Sequence, residues 1–200
     1  SHHRANTVRG VLRSRPFVLL TIAMSMAAFS VFAVVINLVP LFIERGFSAG
    51  EGAIALGLGG IGQLCGRLGY ARFAAHTSIT VRGAVVFAGV AVSTGLLALL
   101  PGPLAVLIIV SMVVGVARGT YTLIQATAVS DRWGTRHFGQ LNGVMSAPIL
   151  LGSAVAPFAG AALADLLGGQ SRSFLVLAGV ALVAAALFLA TTPRTGAAEQ

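Results

Sequence analysis

A single cysteine, Cys65, stands in a chain of 200 residues. One thiol forms no intrachain disulfide and no thiolate metal cluster. Lysine is absent, so all 13 basic residues are arginine, and acidic residues number five. Charged residues make up only 9% of the chain, against about a quarter in a water-soluble domain. That is too little charge to cover a water-facing surface. The four histidines (His2, His3, His76, His137) have no metal-ligand spacing with a carboxylate, so neither a metal nor a cofactor is expected. Glu44, Glu51, Asp131 and Asp165 fall at the ends of apolar runs and Glu199 in the tail. A proton relay needs an acid at membrane depth, and this stretch of chain supplies none.

What is abundant is hydrocarbon: 56% of residues are hydrophobic and the mean hydropathy is +0.93. The bulk class is an integral membrane protein whose partner is the lipid bilayer. The net charge of +8 and pI near 11.7 would suit nucleic acid only if the arginines formed a helix face or an aromatic-interleaved patch. They sit instead in short stretches between apolar runs, so no nucleic-acid partner is expected.

Six apolar runs occur, at about Phe17–Phe42, Ala53–Ala75, Gly83–Leu100, Leu104–Ala128, Gly139–Leu167 and Ser173–Ala190. A bilayer core needs roughly 20 helical residues, and each run meets or nearly meets that. The apolar residues are continuous and do not alternate, which favours helices over barrel strands. The spacing therefore predicts an all-α protein of six transmembrane helices over residues 17–191. A basic segment at 1–16 precedes the bundle and a tail at 192–200 follows it. Arg4, Arg9, Arg13, Arg15, Arg67, Arg72, Arg82, Arg132, Arg136 and Arg194 fall on one side, and only Arg45 and Arg172 on the other. This bias puts both termini in the cytoplasm. No loop is long enough to house a soluble catalytic domain. The opening "SHHR" reads as a chain cut from something longer or as the remnant of a tag, and a cleavable signal peptide is not expected.

Polar residues inside the runs carry the functional information. Arg118 stands in the fourth run, roughly 21 Å below its outer end at 1.5 Å per residue. Insertion charges about +3 kcal/mol for a central arginine and returns roughly 0.3 to 0.6 for each large aliphatic residue. The run from Leu104 can offset one arginine. Ser111, Arg118, Thr122 and Gln125 share one helical face, opposite Leu107, Val110, Val114, Ala117 and Ile124. The second run repeats the arrangement with Gln63, Arg67 and Tyr70, and puts Arg67 at about the depth of Arg118. Snorkelling towards the headgroups would accommodate either arginine alone. Two at one depth, each with a glutamine on its face, point to a shared aqueous cavity. Asn37 in the first run serves either helix packing or the cavity, and Asn142 and Ser146 mark a polar face on the fifth. The third and sixth runs are nearly without polar residues and read as lipid-facing supports. In the fifth, "GVMSAPILLGSAVAPFAG" places Gly143, Gly152, Pro157 and Gly160 in one helix, for close packing and a bend.

The stretches "NLVPLFIERGFSAGEGAIALGLGGIGQLCGRL" and "RGTYTLIQATAVSDRWGTRHFGQLNG" resemble the C-terminal half of a major facilitator superfamily transporter, in flavour nearest the bacterial relatives of monocarboxylate and oxalate–formate carriers. The resemblance runs from Arg15 to Arg194. It implies a twelve-helix carrier of two six-helix halves, each built of two three-helix inverted repeats, working by alternating access. It also implies that the first, second, fourth and fifth helices line the cavity, and that residues 1–16 were a central linker. The family's cytoplasmic loop motif would fall on Ala71 to His76, where Ala75 and His76 replace its Asp and Arg. Gly143, Gly152, Ala156, Pro157 and Gly160 resemble its antiporter motif with one glycine lost. Arg118-Gly119 echoes its fourth-helix arginine.

These readings converge on a secondary transporter of a small organic solute, a carboxylate or other anion, in the cytoplasmic membrane. Arg118, Arg67, Gln63, Gln125, Asn37, Asn142 and Thr122 would bind the solute. Asp131, Arg132 and Arg136 would help close the cytoplasmic side. The partner would be a missing N-terminal half or a second copy, because a half cavity exposes polar faces to lipid. The alternatives are an orphan half inactive alone and a six-helix intramembrane enzyme. The enzyme would need a serine and a histidine at membrane depth, and His76 and His137 are loop residues, so no catalytic residue is assigned.

Overall fold

A computed structural model describes residues 8–191. Arg4, Arg194, His2, His3 and the tail at 192–200 lie outside the described residues. The chain forms α1 (Val8–Leu12), α2 (Arg15–Glu44), α3 (Ala49–Ala75), α4 (Ile79–Leu99), α5 (Leu104–Thr127), α6 (Ser130–Trp133), α7 (Phe138–Leu167) and α8 (Gln170–Leu189). The six apolar runs thus become the six long helices, and the basic segment at 1–16 carries the short α1.

Helix starts are set by serine caps. Ser14 and Ser78 accept from the amides of Phe17 and Val81. Ser48 and Glu51 form a reciprocal capping box at the start of α3, satisfying two of the amides that a helix start leaves unpaired. The cap at Ser78 starts α4 four residues before the apolar run at Gly83, because Ile79 to Arg82 continue the helix beyond the apolar segment.

Among the described residues, five segments are long and apolar enough to cross a membrane: α2, α4, α5 with α6, α7 and α8. The sixth expected span, α3, has the length but falls short in apolarity. Glycine brings a helix almost no apolar surface, and α3 carries eight glycines besides Gln63 and Arg67.

The most extensive pairing is α3 with α5, followed by α4 with α8, then α2 with α7 and α8. The third and sixth runs are therefore not mere outer supports. They pack on each other through Phe87 and Phe188, whose rings meet edge to face at 5.0 Å. Over half of the α4 span is buried, whereas α3 buries only Gly52, Ala55, Gly62 and Gly66, and α7 only six of its 30 residues, so α3 and α7 are the long helices this bundle leaves most open. Three apolar clusters fill the interior, two of them large. One contains Phe17, Phe87, Tyr121, Met145 and Phe188, and the other Leu41, Phe42, Leu97, Leu107 and Phe174. The Tyr121 hydroxyl in the first donates to the Met24 carbonyl at 3.0 Å, which meets the need of a buried phenol for a partner.

The α3–α5 crossing is made of backbone. A methyl group added at Gly62 would strike the Met112 carbonyl, and one at Gly66 the Val116 carbonyl. From the other side, Gly115 meets the Gly59 carbonyl and Gly119 that of Gln63. Small residues four apart on both helices allow this approach.

Candidate functional site

The α3–α5 crossing positions the polar residues. Gln63 lies with its backbone against Gly115 and Gly119, immediately beside Arg118. With Gly66 against Val116, Arg67 and Arg118 fall within about one turn of the same level. Arg118 is half-buried, with its guanidinium 5.6 Å from the centre of the Phe32 ring. It closes one end of a narrow crevice between α2, α3 and α5, lined by Val34, Leu38, Leu56, Gly59 and Ser111. Of the expected site residues, Arg118 lines this crevice, while Gln63 and Arg67 stand on the facing stretch of α3. Thr122 and Gln125 follow on α5, both half-buried. The Thr122 hydroxyl donates to the Gly119 carbonyl at 2.7 Å, and that of Ser111 to Leu107 at 2.8 Å.

Other expected site residues lie elsewhere. Asn37 is buried and turned towards α7. Its amide donates to the Ala33 carbonyl at 2.9 Å and the Pro157 carbonyl at 3.5 Å, and Gly160 packs directly on it. The amide is thus spent once within α2 and once on joining α2 to α7, a packing role. Asn142 is half-buried near the start of α7, on a helix that does not line the crevice. Tyr70 leaves the Gln63–Arg67 stripe. Its hydroxyl lies 3.4 Å from Thr127 Oγ1 and accepts from Arg82 at 3.3 Å. Of the α7 glycines, Gly160 is tightly placed, Gly152 makes ordinary contacts with α2, and Gly143 has nothing within 4 Å. Gly143 is therefore no packing position within this bundle. Pro148 and Pro157 both lie inside α7.

The loop charges divide. Asp131 Oδ2 is 3.8 Å from Arg82 Nη2, so it ties α6 to the start of α4. Arg132 lies along the end of α8, with its guanidinium 4.7 Å from the Phe188 ring centre and donating to Thr191 Oγ1 at 3.2 Å. It is a fastener between α6 and α8. Arg136 is exposed.

At the other end of the bundle, Glu44 and Arg45 act as a pair of clamps that composition does not reveal. The Glu44 carboxylate accepts from the amide of Gln170, and from the amide and hydroxyl of Ser171 at 3.1 and 2.9 Å. This caps α8 with a negative group, as a helix N-terminus favours. Arg45 donates to the carbonyls of Leu97 and, at 3.0 Å, Ala98, at the C-terminal end of α4, where cations are favoured. Burial lowers the Arg45 pKa from its ordinary value and the adjacent Glu44 opposes the shift. Sequence spacing does not show this role, because the partners are more than fifty residues away.

Long apolar helices around a crevice that carries an arginine define a multi-pass membrane protein. The sequence profile of the Major Facilitator Superfamily matches residues 82–200, more than half of the chain. The chain belongs to this superfamily, a family of transporters. No curated protein matches the chain in sequence.

Proposed function

We propose that the chain is the C-terminal six-helix half of a secondary transporter that moves a small organic anion, a carboxylate in the first instance, by alternating access. The observation that carries this reading is Arg118. It is half-buried and lines the crevice, and the α3–α5 crossing puts Arg67 within about one turn of its level. The acids among the described residues, Glu44, Glu51, Asp131 and Asp165, all stand at helix ends or between helices. An uncompensated positive field beside a crevice attracts an anion, and a guanidinium is the side chain that holds a carboxylate by two parallel hydrogen bonds. Gln63, Gln125 and Thr122 supply uncharged hydrogen bonds around it.

In this reading α3 crosses the bilayer with the other five. Its glycines exchange apolar surface for close contact with α5, and its polar face looks inward. The pairing of helices fits two three-helix inverted repeats, α2–α4 and α5–α8. The α3–α5 pair is matched by the α7–α2 pair, α4–α5 by α8–α2, and α4–α8 lies on the axis. The exposed apolar residues of α3 (Ile61, Leu64) and α7 (Leu151, Phe158) await an N-terminal half or a second copy. Both termini face the cytoplasm of a bacterial inner membrane, as the arginine bias indicates.

Uptake of a panel of labelled small carboxylates by the full-length carrier in proteoliposomes tests the proposal. Arg118→Ala lowers uptake of the transported solute by about 30-fold or more, as loss of ~2 kcal/mol or more from a partly buried charge contact requires. Uptake unchanged for every solute would remove Arg118 from the path.

A further inference from the structure

A second cavity lies on the other side of the α3–α5 pair, away from the crevice. It is a groove of about 340 Å³ where α3 and α4 diverge. Cys65, Gly69 and Tyr70 form one wall, Val85 and Gly89 the other, and Ala117 part of the floor. Side chains on its rim, Val85 and Val116, are 52% and 39% exposed, so the groove opens onto the surface that faces lipid. Its walls are bare for a specific reason. Gly69 and Gly89 each have nothing within 4 Å of the position a side chain would take, unlike Gly62 and Gly66 at the helix crossing. The space is a slot for something that is not part of the bundle.

The groove is apolar along its length and basic at one end. That end is closed by Tyr70, with the Arg82 guanidinium 5.5 Å from its ring centre. Arg72, exposed, lies two residues further along α3. Of its five N–H donors, Arg82 spends one on the Tyr70 hydroxyl, and its guanidinium pairs with Asp131 at 3.8 Å. Asp131 is the one acid facing this end among the described residues, against two arginines. A hydrocarbon slot ending in cations matches a molecule with an alkyl chain and an anionic head. Basic pockets between transmembrane helices recognise lipid headgroups in this way.

We propose that the groove between α3, α4 and α5 holds one acyl chain of an anionic phospholipid, whose phosphate sits at the Tyr70 end against Arg72 and Arg82. The chain gains little by leaving bulk lipid for an equally apolar slot, so selectivity comes from the headgroup. One juxtamembrane arginine is worth about a fivefold preference. The proposal rests on the chain spanning a membrane and not on what it transports, so loss of transport by Arg118→Ala leaves it untouched.

The test is native mass spectrometry of the full-length protein. It is purified from vesicles of equal parts phosphatidylglycerol and phosphatidylcholine, and the lipids retained per protein are counted. The wild type retains one phosphatidylglycerol in preference to phosphatidylcholine. Arg72→Gln lowers that preference by about fivefold, and Arg9→Gln, an exposed arginine on α1, leaves it in place. Gly89→Leu and Gly69→Leu fill the slot from opposite walls, and each removes the retained lipid. Equal retention of the two lipids, loss with Arg9→Gln as large as with Arg72→Gln, or full retention in a folded Gly89→Leu or Gly69→Leu protein would overturn it.

Discussion

Two alanine substitutions on α3, five residues apart, separate the backbone crossing from ordinary helix chemistry. At Gly62 a Cβ would lie 2.9 Å from the carbonyl carbon of Met112 and 3.1 Å from its Cα, besides striking the carbonyl oxygen. These are backbone atoms, so no rotamer change relieves the clash and α3 must move away from α5. Overpacking of this kind costs about 1–3 kcal/mol. At Gly57 a Cβ meets nothing within 4 Å, and the substitution only gains the helix preference of alanine over glycine, about 0.5–1 kcal/mol. The same gain offsets part of the cost at Gly62. The two variants should therefore differ in stability by about 1–3 kcal/mol, a factor of roughly 5 to 150 in the folded-to-unfolded ratio. Unfolding of the full-length protein in detergent micelles, followed by temperature or denaturant, measures the difference. Gly115→Ala should resemble Gly62→Ala, and the double variant should cost less than the sum, because helices already parted have room for the second methyl. Equal stability of Gly57→Ala and Gly62→Ala would refute the crossing as described.

The remaining predictions concern the fasteners. Glu44→Ala uncaps α8, costs about 0.5–2 kcal/mol, and speeds hydrogen exchange at the Gln170 and Ser171 amides while leaving those of α4 unchanged. Gly160→Ala displaces the Asn37 amide from the Pro157 carbonyl and destabilises the α2–α7 contact by about 1–3 kcal/mol, read by the same unfolding assay. Asp131→Asn removes a partly exposed ion pair and shifts stability by less than about 1 kcal/mol. Its effect shrinks as salt is added, which thermal unfolding at two ionic strengths checks.

Much of the fold was legible because membrane helices announce themselves by apolar length. The first and fourth runs, Phe17–Phe42 and Leu104–Ala128, differ from α2 and α5 by only one or two residues at either end. The second run was legible as a helix although its apolarity is the lowest of the six, since glycine interrupts hydropathy without interrupting a helix in lipid. What sequence spacing misses is which glycine touches what. Attention fell on Gly143, Gly152 and Gly160 of α7, whereas the tightest approach uses Gly59, Gly62 and Gly66 against Gly115 and Gly119. The signal was there, since small residues four apart stand on both helices, but only a pairing of α3 with α5 gives it meaning. Tyr70 was misplaced for a related reason. Helical periodicity puts it near Gln63 and Arg67, but it stands at the edge of that face, and Arg82 and Thr127 draw its hydroxyl the other way. Asn37 shows the limit for lone polar residues, because a periodic pattern does not say whether a neighbouring helix offers a carbonyl.

The central claim is that Arg118 and Arg67 impose a positive field on a water-filled path. Thr122 lies one turn beyond Arg118 on α5 and can carry a reporter thiol. With Thr122→Cys in the full-length carrier, Cys65→Ser and no other cysteine, rates of modification by an anionic and a cationic water-soluble methanethiosulfonate are measured, each scaled to its rate with a free thiol. The predicted result is reaction from water, about tenfold or more faster for the anionic reagent, with the preference abolished by Arg118→Gln. No reaction with either reagent, or equal scaled rates for the two, would contradict it.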